Sequence, residues 1–305
     1  MTKFILILTT KNEENYADYF NKMVWEMENG LKEFDKEYIV VTEGNTDKTE
    51  EILRKNPKIK IIGDGIDEDL KTLPYFERLG FIRQKTLEYV RKKSFDFLIL
   101  LDSDIFFNIF MIKKMISEMM ENNLDVLTPN TLCFPYPVHY DSFAYRSVGS
   151  KKTFKKKDVT HELPSYFDNS KRVGYNREVD SSFGGLALYK RDVIMNKNVS
   201  YLKYYKKGEK VCEHVNLNKT IKEQGYKLYF SDNICPIWNN NWGLSERSEY
   251  TIEYFKNLFS TTSYKNFLIF LDILILISLL IIFRKYYILI LISLLIIVGK
   301  FYIFL

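Results

Sequence analysis

Short apolar runs broken by polar turns recur along most of the chain, and stretches with helical spacing lie between them. Residues 3–10 read Lys-Phe-Ile-Leu-Ile-Leu-Thr-Thr, a compact apolar run that predicts a buried strand. Residues 13–34 carry Tyr16, Phe20, Met23, Val24 and Met27 at helical spacing, with Gly30 near the end. A second strand is predicted at 37–41. A Gly/Asn turn follows, in which Asp47 is placed to cap a helix through Ile52 and Leu53. Residues 58–63 form a third strand, and 79–91 a helix with Leu79, Ile82, Leu87 and Val90 beside Arg78, Arg83 and Arg91. The run Phe97-Leu98-Ile99-Leu100-Leu101 is apolar at every position, as in a strand buried on both faces.

Beyond it, 111–120 reads as a Met-rich core helix and 124–129 as a strand. Residues 130–176 lose the pattern and include Lys151, Lys152, Lys155, Lys156 and Lys157, which marks a lid, a binding loop or a disordered insert. Regularity returns over 179–189, with Gly184 and Gly185 free to let backbone approach a ligand. A helix over 216–224 stops at Gly225, and 226–230 is a late strand. The alternation over the first ~105 residues predicts an α/β fold with a mostly parallel sheet flanked by helices and joined by right-handed connections.

The candidate chemistry sits where the apolar strand ends, in Asp102-Ser103-Asp104. Open α/β sheets hold their ligands at the carboxyl ends of strands. In an extended backbone residues i and i+2 face the same way, so both carboxylates would converge on one point. Hard oxygens at that spacing suit Mg²⁺ or Mn²⁺. Further along, Trp238 lies among Asn239, Asn240 and Asn241, a ring face beside amides of the kind that sugars stack upon.

From residue 267 the composition changes. Ile-Leu-Ile-Leu-Ile-Ser-Leu-Leu-Ile-Ile occurs at 273–282 and again at 288–297, separated by Arg284-Lys285. Each half reaches the length needed to cross a bilayer, and apolarity all round excludes an ordinary surface helix. The expected organisation is therefore a domain over 1–260, in halves 1–128 and 129–260, and a membrane-anchoring hairpin of two segments over 264–305. No signal peptide is seen at the N-terminus, so the default places the domain on the cytoplasmic side, tethered by its C-terminus. Charge changes little in this picture. The net charge is +5 over 305 residues, with lysines and acids interspersed, which argues against nucleic acid as a partner. Cys133, Cys212 and Cys235 are widely spaced, lack zinc-site spacing and fit a reducing compartment.

Several motifs in one order resemble glycosyltransferases of the GT-A fold. Val40-Val41-Thr42-Glu43-Gly44-Asn45-Thr46-Asp47-Lys48-Thr49 resembles the turn whose acids contact the donor nucleoside. Arg83-Gln84 resembles an Arg-Asn pair, with Gln replacing Asn, and Leu101-Asp102-Ser103-Asp104 the metal-holding Asp-x-Asp element. The stretch 183–189 resembles the Gly-Gly strand after the acceptor loop. Glu213-His214 stands where that superfamily has Glu-Asp. Glu213 or His214 would then be the catalytic base, or His214 a third metal ligand. More narrowly, residues 140–146, 182–185 and 212–215 resemble the fungal capsule-associated α-1,3-mannosyltransferase family, which implies a GDP-mannose donor and retention.

The resemblance implies a metal-dependent enzyme moving a sugar from a nucleotide-diphosphate sugar to a glycan, protein or lipid acceptor. Donor and cofactor would be held by Thr9, Glu43, Arg83, Asp102 and Asp104, with Asp141, Arg146, Gly184, Gly185 and Trp238 on the substrate. Two other readings stay open: a sugar-phosphate nucleotidyltransferase and an inactive, membrane-tethered carbohydrate-binding module.

Overall fold

The computed structural model of the chain describes residues 1–42, 44–63, 70, 72–133, 138, 139, 141, 143–149, 176–205 and 211–238, with backbone alone at 133, 138 and 139. Glu43, the lysines at 151–157 and the apolar tail at 264–305 lie outside the described residues. Among those described, no helix is long and apolar enough to cross a membrane.

The apolar runs form the centre of a nine-stranded sheet. β1 (Thr2–Thr10), β2 (Phe34–Thr42), β3 (Ile59–Ile62) and β4 (Phe97–Asp102) pair in parallel in the order β3-β2-β1-β4. The helices α1 (Glu14–Gly30), α2 (Thr49–Leu53) and α3 (Tyr75–Val90) alternate with these strands in the chain. Alternate side chains face opposite sides of a strand. Phe4, Leu6 and Leu8 of β1 and Phe97, Ile99 and Leu101 of β4 accordingly share one core with Phe20, Met23, Val24 and Met27 of α1. α4 (Ile109–Glu121), capped by Asn108, which accepts from the Met111 N–H, adds Ile112, Met115, Ile116 and Met119 to it. Each fully buried Leu, Ile or Met contributes about 1.5–3 kcal/mol. The methionines therefore serve as core filler, as expected, although Met120 is exposed.

The expected mostly parallel sheet holds only up to Asp102. β5 (Ile105–Phe106) leaves the main sheet, and β6 (Val126–Pro129) rejoins it. β7 (Leu132–Cys133), β8 (Val138–His139) and β9 (Arg146–Ser147) fall in the stretch expected to be irregular. Then follow β10 (Asn176–Ser181), β11 (Leu186–Lys190), α5 (Arg191–Met195), α6 (Glu213–Glu223), β12 (Leu228–Ser231) and β13 (Ile237–Trp238). β11 inserts antiparallel between β4 and β6, and β12 pairs parallel to β6 and antiparallel to β10. The second half of the sheet is thus mixed. A small second sheet, in the order β5-β13-β7-β8, stands beside the end of β4. All the described elements belong to one compact unit, Met1–Leu244.

Several boundaries differ from the sequence reading, two of them with a clear cause. α1 stops at Gly30 rather than 34, because Phe34 opens β2 opposite Thr2 and packs on Phe4 at 6.0 Å. α3 begins a turn early, directly after Pro74, which cannot donate a backbone hydrogen bond.

Candidate active site

The carboxyl ends of β1 and β4 lie side by side, with Thr9 opposite Asp102 in register. The strand ends there: Asp102 closes β4, and Ser103 and Asp104 form a turn before β5. Between the two aspartates the backbone is therefore not extended, and the i, i+2 argument does not by itself bring their carboxylates to one point. Asp102 turns to Arg83, whose Nη2 donates to Oδ1 at 2.9 Å. Asp104 turns to Trp238, whose Nε1 donates to Oδ2 at 2.6 Å.

Arg83 joins two carboxylates. Its Nε lies 3.1 Å from Glu213 Oε1, and its guanidinium stands 5.0 Å from the Phe183 ring centroid. Burial works against its charge, but Asp102 and Glu213 hold it well above the ordinary arginine value. Burial pushes the Glu213 carboxyl up to about 7; Arg83 opposes this, while Asp102 and Asp141 add to it. Asp102 is also raised by burial against the pull of Arg83, though its side chain keeps 22% of its surface exposed. Gly80 of α3 lies beside Glu213; a Cβ there would meet Glu213 Cβ at 3.6 Å, an ordinary contact.

The surroundings of His214 do not favour the roles the sequence left open for it. Its ring is 2% exposed, stacked on Phe183 at 3.5 Å between centroids and edge-on to Tyr201 at 5.6 Å. Burial first, then Arg83, keeps the imidazole well below its usual value, hence neutral. It is packed among aromatic rings, with Nε2 3.5 Å from Glu213 Oε1.

The expected substrate contacts prove to be supports. Asp141 accepts from Ala144 N at 3.0 Å and from Gly184 N at 3.0 Å, pinning the Gly-Gly turn. Gly184 and Gly185 have φ of 67° and 70°, the left-handed region, and a Cβ on Gly184 would sit 3.0 Å from Pro129 O. Gly185 O in turn accepts from Asp102 N at 2.8 Å, so the turn fixes the end of β4. Arg146 folds back on its own loop, donating to the carbonyls of Phe143 and Tyr145. Trp238 is 4% exposed and offers no open ring face; it orients Asp104 instead.

A divalent cation would find two candidate carboxylates here, Asp102 and Asp104. Among the described residues no three His, Cys, Asp or Glu side chains are grouped to hold one. Mg²⁺ and Mn²⁺ can bind through one or two carboxylates, with substrate phosphates and water completing the set. The local charge also favours a cation at Asp104. Burial, then Asp104 and Asp47, push the nearby Glu13 up to about 7, so negative charge is crowded at this edge.

Glu13 was missed in the sequence because it reads as a helix start. Its loop is tied to the 45–49 turn: Asn12 N donates to Asn45 Oδ1, Thr46 N to Asn12 Oδ1 and Glu13 N to Thr49 Oγ1, each at 2.7 Å. Asp47 accepts from Thr49 N at 3.0 Å but is not the expected N-cap: it stands one residue before Lys48, which caps α2 without a side-chain hydrogen bond. Phe183 and Tyr201 were likewise unrecognised, since nothing in a sequence marks which aromatic will sit under a guanidinium. Gln84, next to Arg83, accepts from Ser200 Oγ and Tyr201 N, both at 3.0 Å, and so fixes the segment that carries Tyr201.

Residues 5–195 match the profile of glycosyl transferase family 2. No curated protein sequence matches the chain. Among solved structures, S. aureus TarS 1-349 superposes with a TM-score of 0.50 at 14% identity, covering 86% of this chain and 66% of that one. TarS 1-349 in complex with UDP-GlcNAc gives 0.50 at 16%, covering 80% and 61%. The mannosyltransferase PcManGT from Pyrobaculum calidifontis, in complex with GDP-Man and Mn²⁺, gives 0.48 at 11%, covering 85% and 64%. The chain thus spans just under two thirds of the length of these structures, and the likeness is one of fold.

Proposed function

The chain belongs to glycosyl transferase family 2, and from that premise we propose that it transfers a sugar from a nucleotide-diphosphate sugar to an acceptor hydroxyl. The observation that carries this reading is the buried bridge Asp102–Arg83–Glu213, which joins the end of β4 to the start of α6. Breaking a sugar–diphosphate bond builds negative charge on the leaving phosphate, and a fixed guanidinium offers positive charge to it without reorganising. Mg²⁺ or Mn²⁺, held by Asp102 and Asp104, supplies Lewis-acid stabilisation of the same charge when bound.

Glu213 acts as the base on the acceptor side. A carboxyl held near 7 takes up a proton at neutral pH more readily than an ordinary glutamate. The acceptor hydroxyl gives its proton to Glu213 as its oxygen bonds the anomeric carbon, and the diphosphate departs with the electron pair of the broken bond. A base so placed implies inversion. The narrower motif resemblance at 140–146, 182–185 and 212–215 implies GDP-mannose and retention, so GDP-mannose is the first donor to try. The anomeric configuration of the product decides between the two.

The test is to incubate the chain with sugar nucleotides and Mn²⁺ and identify which half is transferred. Nucleoside diphosphate release with a glycosylated product supports the reading, and transfer of the nucleotidyl group refutes it. Membrane anchoring through 264–305 is also a proposal, resting on its two apolar segments. Deleting those residues should move the protein from the membrane fraction to the supernatant; unchanged fractionation would refute anchoring.

A further inference from the structure

Asp104 leads directly into β5, a strand of only two residues, and Phe107 and Asn108 follow before α4 begins. So short a strand is weakly held by its own ladder. It pairs antiparallel with β13, Ile105 opposite Trp238 and Phe106 opposite Ile237. A further support comes from α1. Tyr16 and Tyr19 are three residues apart, hence on one face of that helix, and both rings meet Phe106, at 5.6 and 4.6 Å between centroids.

The hydroxyl of Tyr19 adds a second kind of contact. It donates to Phe107 O at 2.5 Å and accepts from Phe107 N at 3.0 Å. Phe107 is 5% exposed and belongs to neither β5 nor α4, and a buried peptide group outside both elements needs partners from elsewhere. One hydroxyl can serve both groups, since it donates once and also accepts. Burial raises its pKa above the ordinary tyrosine value, so it keeps the proton it donates.

We propose that Tyr19 is a positioning residue for the cation site: by clamping the main chain at Phe107 it fixes the turn and short strand that present Asp104. The inference rests on the reading of Asp104 as a ligand of Mg²⁺ or Mn²⁺. Trp238 Nε1 holds the Asp104 carboxylate at 2.6 Å from β13, and Tyr19 holds the chain that follows it from α1. Phe107 is the third residue after Asp104, at most about 11 Å along the chain. Ile105, between them, is buried and paired, which leaves little slack for the carboxylate to drift when the clamp is in place. A metal ligand keeps its geometry only as well as the groups behind it are held.

The experiment is Mn²⁺ titration of the full chain in detergent, read by electron paramagnetic resonance, in the wild type, Tyr19→Phe and Asp104→Ala. Tyr19→Phe removes the hydroxyl and keeps the ring on Phe106. It still unfolds cooperatively, and its Mn²⁺ dissociation constant rises by about tenfold or more, as when a partner behind a metal ligand is lost. A merely structural contact would lower thermal stability and leave that constant alone. A second measurement needs only the wild type: Mg²⁺ slows amide hydrogen exchange across 105–107, because a cation on Asp104 favours the clamped form of the turn. A dissociation constant in Tyr19→Phe within about twofold of the wild type overturns the inference. Unchanged exchange across 105–107 overturns it too, whether or not the variant folds. If the wild type binds Mn²⁺ and Asp104→Ala does not, while Tyr19→Phe binds as the wild type does, this inference alone fails. If the wild type binds no Mn²⁺, or Asp104→Ala binds it equally, the cation reading in the proposed function fails with it.

Discussion

Arg83 donates to Asp102 at 2.9 Å from within the protein, its own side chain only 8% exposed. The same guanidinium is the counter-ion of Glu213, so one cation is shared by two carboxylates from different elements. Removing it in Arg83→Ala leaves both acids without that charge, which costs about 3–5 kcal/mol of stability for a broken buried pair. Arg83→Lys keeps a charge but not the two-pronged geometry. It should fold, with donor turnover down roughly 10²–10³-fold. Denaturant unfolding and nucleoside diphosphate release check the two variants.

Glu213 gives the site a definite pH signature. Its folded value is raised from 4.5 to about 7, so between those values the folded state holds a proton that the unfolded state has lost. Its contribution to stability therefore falls as pH rises from about 4.5 through about 7. Activity runs the other way, since a base must be ionised: the rate climbs with a midpoint near 7. Glu213→Gln should flatten the rate limb and shrink the stability limb, of which Glu13, also raised to about 7, keeps a share; thermal unfolding and turnover between pH 5 and pH 8 check it. A rate limb that survives in Glu213→Gln would assign the titration to another group.

The parallel strands β1 to β4, their order in the chain and the carboxylate-bearing end of β4 were legible because buried parallel strands are apolar at most positions, whereas β5, β7, β8, β9 and β13 were not. Gly184 and Gly185 stood out in the sequence as a place for backbone to approach a ligand; the structure gives both a left-handed φ, and the close neighbour it shows is Pro129 O. What each side chain does there was not. Asp-x-Asp suggested convergence only on the assumption that the strand continued, whereas it ends at Asp102 and the turn sends Asp104 toward Trp238. His214 reads as chemistry in a sequence and proves to be packing, because its neighbours Phe183 and Tyr201 come from other elements. The antiparallel insertion of β11 was equally hidden, since a short apolar run does not reveal the direction in which it will pair.

Trp238 holds Asp104 through its ring N–H at 2.6 Å, a contact that Phe cannot make. Trp238→Phe should leave the fold in place and weaken Mn²⁺ binding or turnover by about 10–100-fold, the usual cost of losing a partner behind a metal ligand. Mn²⁺ titration by electron paramagnetic resonance checks it. Unchanged Mn²⁺ affinity would remove Asp104 from the metal reading.

The most direct measurement is nucleoside diphosphate release by the wild type and Asp102→Asn, across a panel of sugar nucleotides with Mn²⁺. Release from at least one donor, reduced by about 10²–10⁴-fold in Asp102→Asn while that variant still unfolds cooperatively, is the predicted result. Equal release by both proteins, or none from any donor, would contradict the account.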